Sequence, residues 1–566
     1  MDYSVLADYY EKLESVSSKL KKRDILAELF RITPTEELPK VVLLVQGIVF
    51  PRFADHELGV AVQMMIKAIS KSSGVSMRDV ENKFKETGDL GSTAEYCIKS
   101  RKQATLLRKK LTVDNVFSIL QSLAFVVGQG SQGKKLSLIS KLLVSGSPKE
   151  VRYIARTILE DLRVGVAEGI IRDAIVEAFL AEENVNKEEK QKISDLVEYS
   201  YNIVSDFGEV AKIAKEGGVE ALKKVKVQIG KPIQGMLGLA AESIEEVVKE
   251  FGKISAQYKY DGSRVQIHRS GEKIWVYTRR LEDITKQFPD IVEFCKKGLK
   301  SSECIVEGEA LGIDRKTGFP VPFQILSQRI HRKYDIKKMV REIPVMVHLF
   351  DVLHENGKML FDKPLKERWR ILEKIVAPIL GKFELAKQIV TDDLKELEKF
   401  YEESLKAGQE GLMLKVLESP YIFGRHVGTM YKIKPLMESL DLIIVGATWG
   451  EGARTNWLTS YILACVDPDT GKLLEVGMMS TGLNEAQYSE MTEKLKPLIT
   501  SEKGRTVYVK PKIIVEVGYQ EIQKSPHSTS GFSLRFPRFI RERTEKSEPD
   551  TLERIESLFK SQGKVG

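Results

Sequence analysis

The chain is poor in cysteine and has no long apolar run. Its four cysteines, Cys97, Cys295, Cys304 and Cys465, lie far apart and form no C-x-x-C pair. A disulfide framework and a cysteine zinc site are therefore not indicated, and we expect buried thiols in a reducing compartment. No apolar stretch approaches the roughly 18–20 residues that span a bilayer, and the N-terminus is an acidic amphipathic helix rather than a signal peptide. We expect no membrane association and a cytoplasmic location.

The size and charge of the chain suggest several domains and an anionic partner. With 566 residues, of which 42% are hydrophobic and 30% charged, the chain is globular and too long for one core. The usual domain size of roughly 100–200 residues predicts three or four domains. The net charge of +8 and the isoelectric point near 8.9 favour a polyanion as partner.

Residues 1–225 are expected to form an all-α domain. In VRYIARTILEDL the apolar residues from Val151 to Leu162 recur at helical spacing, which marks one buried face of a helix. Ser147 and Pro148 precede this run as a cap and a first-turn residue. Most of the other segments before residue 225 follow the same spacing.

Residues 226–435 are expected to form an α+β domain with antiparallel sheets, and residues 436–566 a small β-barrel of the OB type. Strand-like runs such as SRVQIH and VMVHLFDVL alternate with helices in the first segment. In AQYKYDGSRVQIH the Asp261-Gly262 pair predicts a β-hairpin, with Lys259 just before the turn. Short strands with glycine turns follow in the second segment.

The segment GQGSQGKK, residues 128–135, almost matches a phosphate-binding P-loop. Its last position is Lys135, which has no hydroxyl for Mg²⁺, and the preceding run is helical rather than a short strand. We therefore interpret it as a flexible connector between two helices.

The α+β segment contains the residue types that nucleotidyl transfer needs, which are a nucleophile, phosphate-binding cations and metal-binding carboxylates. They lie in six short motifs in this order: K-Y-D-G-S-R (Lys259, Asp261, Arg264), T-R-R-L-E-D (Arg279), E-G-E (Glu309), L-F-D (Phe350), E-G-L-M-L-K (Glu410, Lys415) and Y-K-I-K (Lys432, Lys434).

This ordered series resembles the ATP-dependent DNA ligases of the archaeal and eukaryotic type, which belong to the covalent nucleotidyltransferases. The resemblance covers nearly the whole chain, including LEDLRVGVAEGIIRDAIVEAF in the helical part and GFSLRFPRFIRERTEKS near the end. It implies a helical DNA-binding domain, an adenylation domain and an OB-fold. It also implies the sealing of nicks in duplex DNA, through a lysyl-AMP and an adenylated 5′-phosphate, in replication, repair and recombination.

The resemblance also implies roles for single residues. Lys259 would be the nucleophile, and Phe350 would stack on adenine. The nucleotide contacts would come from Gln257, Arg264, Arg279, Glu309, Arg425, His426, Lys432 and Lys434. Glu309 and Glu410 would hold Mg²⁺ or another divalent cation. Asp261 and Lys415 are further candidates. Arg535, Arg538, Arg543 and Lys546 would orient pyrophosphate or grip DNA.

The sequence departs from the family pattern near the nucleotide. Gln257 stands where the family commonly has glutamate, and a glutamine amide can accept from an adenine amino group or donate to a purine oxygen. His426 stands where arginine is usual, with Arg425 beside it as a substitute. Met430 replaces a common tryptophan, and the terminal motif reads R-T-E-K rather than R-x-D-K.

Two other classes of protein remain open at this point. An RNA ligase or a GTP-using capping-type enzyme shares the lysine motif, but the helical domain favours a clamp on duplex DNA. A nucleic-acid-binding protein without activity would bind nicked duplex and form no adenylate. The missing cysteine cluster argues against an NAD-dependent ligase. We expect a monomer that binds nicked double-stranded DNA, near the nucleoid if the source is a prokaryote. We also expect a sliding clamp as partner, with residues 46–53 (QGIVFPRF) as a loose candidate for docking.

Overall fold

The structure is a computed structural model that describes residues 1–54, 56–100, 110–181, 186–330, 332, 334–424, 426–435, 438–450, 454 and 456–562. None of the helices among these residues is both long and apolar enough to cross a membrane. All four cysteines are buried free thiols, as expected.

The N-terminal part is helical, which confirms the prediction. Its helices are α1 (Tyr3–Glu14), α2 (Lys19–Ile32), α3 (Leu38–Val45), α4 (Val62–Ser73), α5 (Met77–Thr87), α6 (Leu90–Lys99), α7 (Val113–Phe125), α8 (Ser131–Ser145), α9 (Pro148–Ile158), α10 (Glu168–Phe179), α11 (Lys187–Val204) and α12 (Phe207–Leu222). Ser147 and Glu150 form a capping box at the start of α9. The buried face of α9 includes Val151 and Ile154, and it packs into one apolar core with the surrounding helices.

The P-loop-like segment begins in the connector between two helices, as expected, and continues into the second of them. The connector between α7 and α8 is only five residues long, 126–130, and the remaining residues of the segment belong to α8. The Lys135 amine is turned inward, where it donates to the carbonyl oxygens of Leu58 (2.6 Å) and Gly59 (3.2 Å). Lys135 therefore holds a loop of the helical part.

The central part mixes strands and helices, as predicted. Its elements are β1 (Leu237–Ala240), α13 (Ile244–Phe251), β2 (Ile254–Lys259), β3 (Ser263–Ser270), β4 (Lys273–Thr278), α14 (Pro289–Gly298), β5 (Glu303–Gly312), α15 (Phe323–Ile330), α16 (Ile336–Glu342), β6 (Val345–Glu355), β7 (Lys358–Met359), α17 (Leu365–Ile375), β8 (Phe383–Leu385), β9 (Gln388–Thr391), α18 (Leu394–Lys406), β10 (Gly411–Val416) and β11 (His426–Ile433).

These strands form two sheets. The first, sheet A, has the order β1-β11-β10-β2-β9, and the second, sheet B, has the order β4-β3-β5-β6-β7 with β8 beside β6. Most of the strand pairs are antiparallel, as expected, but β1 with β11 and β6 with β8 are parallel. The apolar face of sheet B, with Val265, Val306 and Val347, packs on the surrounding helices.

The predicted hairpin at Asp261-Gly262 was wrong. β2 pairs in sheet A and β3 pairs in sheet B, so the chain passes from one sheet to the other at this dipeptide. Neither residue has the positive φ that a two-residue hairpin of type I′ requires. Gly262 is needed for space instead, because a Cβ there would lie 2.5 Å from the Ala310 carbonyl oxygen of β5.

The C-terminal part is rich in strands, in agreement with the predicted OB-type domain. It contains β12 (Leu440–Trp449), β13 (Leu458–Val466), β14 (Leu473–Met479), α19 (Glu485–Leu495), β15 (Ile499–Lys503), β16 (Thr506–Val509), β17 (Ile514–Gly518), β18 (Glu521–Lys524), β19 (Phe532–Arg535), β20 (Arg538–Glu542) and α20 (Leu552–Ser561). β12 is central, since it pairs with β13, β16 and β17, and β18 and β19 form a separate ribbon.

The chain divides into two compact units. One contains Met1–Asp392 with Met413–Lys432, and the other contains Asp393–Leu412 with Ile433–Gly566. The helical part and most of the two-sheet part therefore belong to one unit. This division does not test the three-domain boundaries at residues 225 and 435, which stay a prediction.

Candidate nucleotide site

A cleft lies between sheet A and sheet B. It encloses about 770 Å³ of space between its atoms, open mouth included. β2 and β10 contribute Gln257, Lys259 and Lys415 from sheet A, whereas sheet B contributes Arg264 and Phe350. With Glu309 of sheet B, which also lines the cleft, six of the candidate site residues are thus brought together from two sheets.

Lys259 reaches this cleft because β2 ends there. Gln257 and Lys259 are two residues apart on the strand, so both side chains point to the same side, and both line the cleft. The chain then bends at Asp261, which is buried, and enters β3. The crossing between sheets that replaces the hairpin therefore places Lys259 and Arg264 at the same cleft.

The polar face of sheet B forms the opposite wall. Arg264 on β3 lies opposite Glu309 on β5, and Gln266 lies opposite Glu307. Because residues directly opposite each other share a face, these four side chains form one polar patch on the sheet. Glu307 and Glu309 line the cleft together with Arg264.

Arg264 is held by a dense set of hydrogen bonds. Its Nη2 donates to Glu307 Oε2 at 2.6 Å and to the Tyr421 hydroxyl at 3.0 Å, and its Nη1 donates to the Met236 carbonyl oxygen. Tyr421 in turn donates to Glu307 Oε2 at 2.8 Å and accepts from the Met236 amide. Gln266 donates to the other oxygen of Glu307 at 3.2 Å.

This network pairs the buried Glu307 carboxylate with the half-buried Arg264 guanidinium. Burial alone opposes the charge of Arg264, but the Glu307 carboxylate beside it raises the pKa of Arg264 above its ordinary value. Burial, and then the negative charge of Glu307, raise the pKa of Tyr421 well above 10, so its hydroxyl remains a donor. Since Glu307 is only 1% exposed, its charge depends on these partners.

Phe350 lies between two cations. The Lys415 ammonium is 4.6 Å from the centre of the Phe350 ring, and the Arg264 guanidinium is 5.6 Å from it. Burial lowers the pKa of Lys415 to about 8, against the opposing effect of the Asp351 carboxylate. The cleft therefore has an aromatic surface backed by positive charge, which suits a base and its phosphates.

A second buried ion pair supports the floor of the cleft. Arg368 on α17 donates through Nε to Asp351 Oδ1 at 2.8 Å and through Nη2 to Asp351 Oδ2 at 3.1 Å. Asp351 follows Phe350 on β6, and both line the cleft with Arg368. This bidentate pair fixes the strand that carries Phe350.

Several predicted residues lie elsewhere. Arg279 is exposed and lines a different cleft, together with Arg280 and with loop residues of the helical part such as Arg52. Glu410 does not line the nucleotide cleft, and its carboxylate pairs with Lys434 at 2.9 Å. Lys432 lies on β11 opposite Ala240 of β1. The predicted contacts of these residues with a nucleotide or a metal stay predictions.

Arg425 and the side chain of His426 lie outside the described residues. In the C-terminal part, Arg543 and Lys546 both pair with Asp441, and Arg535 pairs with Glu521 at 3.2 Å. Arg538 is exposed on β20.

Several residues that hold the side chains of the cleft in place were not predicted from the sequence. Glu307 and Asp351 lie inside two of the quoted motifs and were given no role, although an acid within an otherwise apolar strand-like run was a usable signal. Tyr421, Arg368 and Gln388 lie outside the motifs, and no pattern in the sequence marked them. Strand pairing brings Gln388 to the site, whereas Arg368 lies on α17 and Tyr421 in the segment after β10.

The site offers few metal ligands. Within the part of the chain that the structure describes, no three His, Cys, Asp or Glu side chains form a group that could hold a metal ion by themselves. Mg²⁺ commonly binds through one or two carboxylates, several waters and the phosphates of its substrate. Glu309 at the cleft fits that mode of binding.

Comparisons with known proteins cover most of the chain. Residues 2–176 match the DNA ligase N terminus, residues 235–434 the ATP dependent DNA ligase domain, and residues 454–546 the ATP dependent DNA ligase C terminal region. A DNA ligase of Nanoarchaeum equitans is 45% identical over 572 residues and covers 99% of both chains. A DNA ligase of Archaeoglobus fulgidus is 44% identical over 568 residues and covers both chains completely.

A solved structure described as Pmar-Lig_Pre. shares the fold. It has a TM-score of 0.57 and 17% sequence identity, and the match covers 95% of this chain and 99% of that one. The helical part, the cleft between two sheets and the OB-type part thus define a multidomain nucleotidyltransferase. The relatives identify it further: the chain belongs to the ATP-dependent DNA ligase family. It is an archaeal-type enzyme that uses ATP to join DNA. The alternatives of an RNA ligase and of a GTP-using capping-type enzyme are not favoured.

Removing the Tyr421 hydroxyl should lower both the activity and the stability of the protein, although no charged side chain is changed. We expect Tyr421→Phe to lower the rate of enzyme adenylation by about tenfold and the free energy of unfolding by about 1–3 kcal/mol, because Glu307 and the Met236 amide lose a buried partner. Rapid-quench labelling with ATP and urea unfolding measure the two effects. Tyr334→Phe, at a tyrosine that is 78% exposed, is the matched control, and equal behaviour of the two variants would contradict the role of the network.

The burial of Lys415 should make stability depend on pH. Below pH 8 the lysine is charged in the folded and in the unfolded chain, and its burial lowers the free energy of unfolding. Between pH 8 and its ordinary pKa of 10.5 the unfolded chain binds the proton and the folded chain does not, so this cost decreases as the pH rises.

We therefore expect Lys415→Met to be more stable than the parent at pH 7, with a difference that shrinks towards pH 10.5. Urea unfolding at a series of pH values measures it, with Lys366→Met, at an exposed lysine, as the control. A stability difference that grows with pH would contradict the buried charge.

Proposed function

We propose that Lys259 is the nucleophile of the ligase. Its amine attacks the α-phosphorus of ATP, forms a bond between Nζ and phosphorus, and releases pyrophosphate. The AMP then passes from Lys259 to the 5′-phosphate at a nick in duplex DNA. The 3′-hydroxyl attacks that phosphate, a phosphodiester forms, and AMP leaves. The observation that carries this proposal is the position of Lys259 in the cleft with Arg264, Glu309 and Phe350.

The nucleotide would lie along the cleft with its base on Phe350. In this arrangement Gln257 contacts the adenine amino group, and Arg264 faces the ribose and phosphate side. Because Arg264 is already bound to Glu307 and Tyr421, it acts as a fixed charge and does not have to reorganise when ATP binds. Lys432 neutralises phosphate charge.

Other family positions would complete the nucleotide contacts as the enzyme changes conformation. These are Arg279, Arg425, His426 and Lys434. Arg279 would have to approach from its present cleft, and Lys434 would have to leave Glu410. Such rearrangement is common in enzymes that close over a substrate.

Mg²⁺ would be held by Glu309 and by the phosphates of ATP, with Glu410 as a second carboxylate once Lys434 has left it. When bound, the ion neutralises charge on the phosphates. Other divalent cations with a preference for oxygen ligands would serve in the same way.

Nicked double-stranded DNA would be gripped by the basic surfaces of the chain. Residues 1–225 would act as the DNA-binding domain, residues 226–435 as the adenylation domain and residues 436–566 as the OB-fold. In the last of these, Arg538 is exposed and available to a DNA phosphate. Arg535, Arg543 and Lys546 would first have to exchange their acidic partners for phosphate.

We further propose a monomer that acts in replication, repair and recombination, inside the cell where the DNA is. A sliding clamp would dock on residues 46–53, which follow α3. In this segment Val49 is buried, whereas the Phe50 ring packs against His56 and Phe125.

Replacing the nucleophile should abolish the covalent intermediate. We expect Lys259→Ala to lose labelling by ATP carrying radioactive α-phosphate by a factor on the order of 10³ or more, because the amine that forms the bond to phosphorus is removed. Denaturing gel electrophoresis after incubation with ATP and Mg²⁺ measures the label, and a nicked duplex measures sealing.

Lys253→Ala is the control, because Lys253 is exposed six residues before Lys259. It should label and seal like the parent. Labelled Lys259→Ala protein would show that another residue carries the AMP.

A further inference from the structure

Gln257 has two polar partners behind it on sheet A. Gln388 of β9 lies directly opposite Gln257, and Ser255 stands two residues earlier on β2, on the same side of the strand. The Gln257 Nε2 donates to Gln388 Oε1 at 2.8 Å, and the Ser255 hydroxyl donates to the same oxygen at 2.8 Å. Gln257 is 2% exposed and Ser255 1%, whereas Gln388 is partly exposed.

These bonds fix which end of the Gln257 amide faces the nucleotide. A glutamine amide carries its oxygen and its nitrogen on opposite sides of one carbon atom. Since Nε2 is engaged by Gln388, Oε1 is the atom left for a base in the cleft. An oxygen there accepts from the 6-amino group of adenine and repels the 6-oxo group of guanine.

We propose that Gln388, supported by Ser255, is a positioning residue that makes the ligase select adenine over guanine through Gln257. This inference rests on the proposed function, in which Gln257 reads the base. A reversed Gln257 amide would present its nitrogen and accept guanine. The oxygen of Gln388 opposes that reversal, because two oxygens would then face each other in a buried place.

The test compares covalent labelling by ATP and by GTP. Full-length protein is incubated with Mg²⁺ and either nucleotide, radioactive at the α-phosphate, without DNA, and the ratio of the two rate constants is determined. We expect Gln388→Leu to raise the GTP-to-ATP ratio by about tenfold, as for the loss of one discriminating hydrogen bond. Ser255→Ala should raise it by about threefold.

Gln388→Glu is the conservative rescue. A carboxylate keeps the oxygen and has no nitrogen to offer, so the ratio should equal or fall below that of the parent. Gln191→Leu, at an exposed glutamine of α11, controls for the substitution itself. Should Gln388→Leu fail to fold, Ser255→Ala and Gln388→Glu still carry the comparison.

The outcomes separate this inference from the function on which it rests. If the parent protein is labelled and the GTP-to-ATP ratio is the same in all variants, the inference is contradicted but the proposed function is not. An equal loss of both labels in Gln388→Leu contradicts the inference too, because it shows a structural role only. A parent that neither nucleotide labels overturns the proposed function and the inference together.

Discussion

The carboxylate of Glu307 is buried inside the nucleotide cleft, and its charge has to be neutralised there. Arg264 provides the opposite charge at 2.6 Å, and Tyr421 and Gln266 complete the hydrogen bonds of the two oxygens. Removing one partner of such a pair leaves an uncompensated charge in a low-dielectric place, which costs several kcal/mol. The strands β3 and β5 and the segment after β10 are therefore tied together at this point, and the cleft depends on that connection.

The same network explains how a cleft full of cations can exist before ATP arrives. Arg264 and Arg368 are each paired with a buried acid, whereas the charge of Lys415 is opposed by its burial. The two acids hold both arginines in fixed positions. Among these three cations, Lys415 is the one whose charged form is disfavoured, since its burial lowers its pKa. The side of the cleft that sheet B forms is thus largely preorganised. Lys259 lies on the opposite side, on sheet A.

Much of the architecture and of the motif residues could be read from the sequence, because helical spacing and motif order depend on neighbours along the chain. The hairpin at Asp261-Gly262 could not, since the choice of partner strand is made by distant residues of β5 and β9. Gln388 and Tyr421 were missed for a similar reason: strand register brings Gln388 to Gln257, and tertiary packing of the segment after β10 brings Tyr421 to Arg264. The motif residues Arg279 and Glu410 were visible in the sequence, but their place relative to the cleft was not.

The central claim is that AMP becomes attached to Lys259 and is then passed to DNA. Peptide mapping by mass spectrometry after incubation with ATP and Mg²⁺ tests it most directly. The account predicts one added AMP on the peptide that contains Lys259, and its disappearance when nicked duplex is added. AMP on any other peptide, or AMP on Lys259 that persists in the presence of nicked DNA, would contradict it.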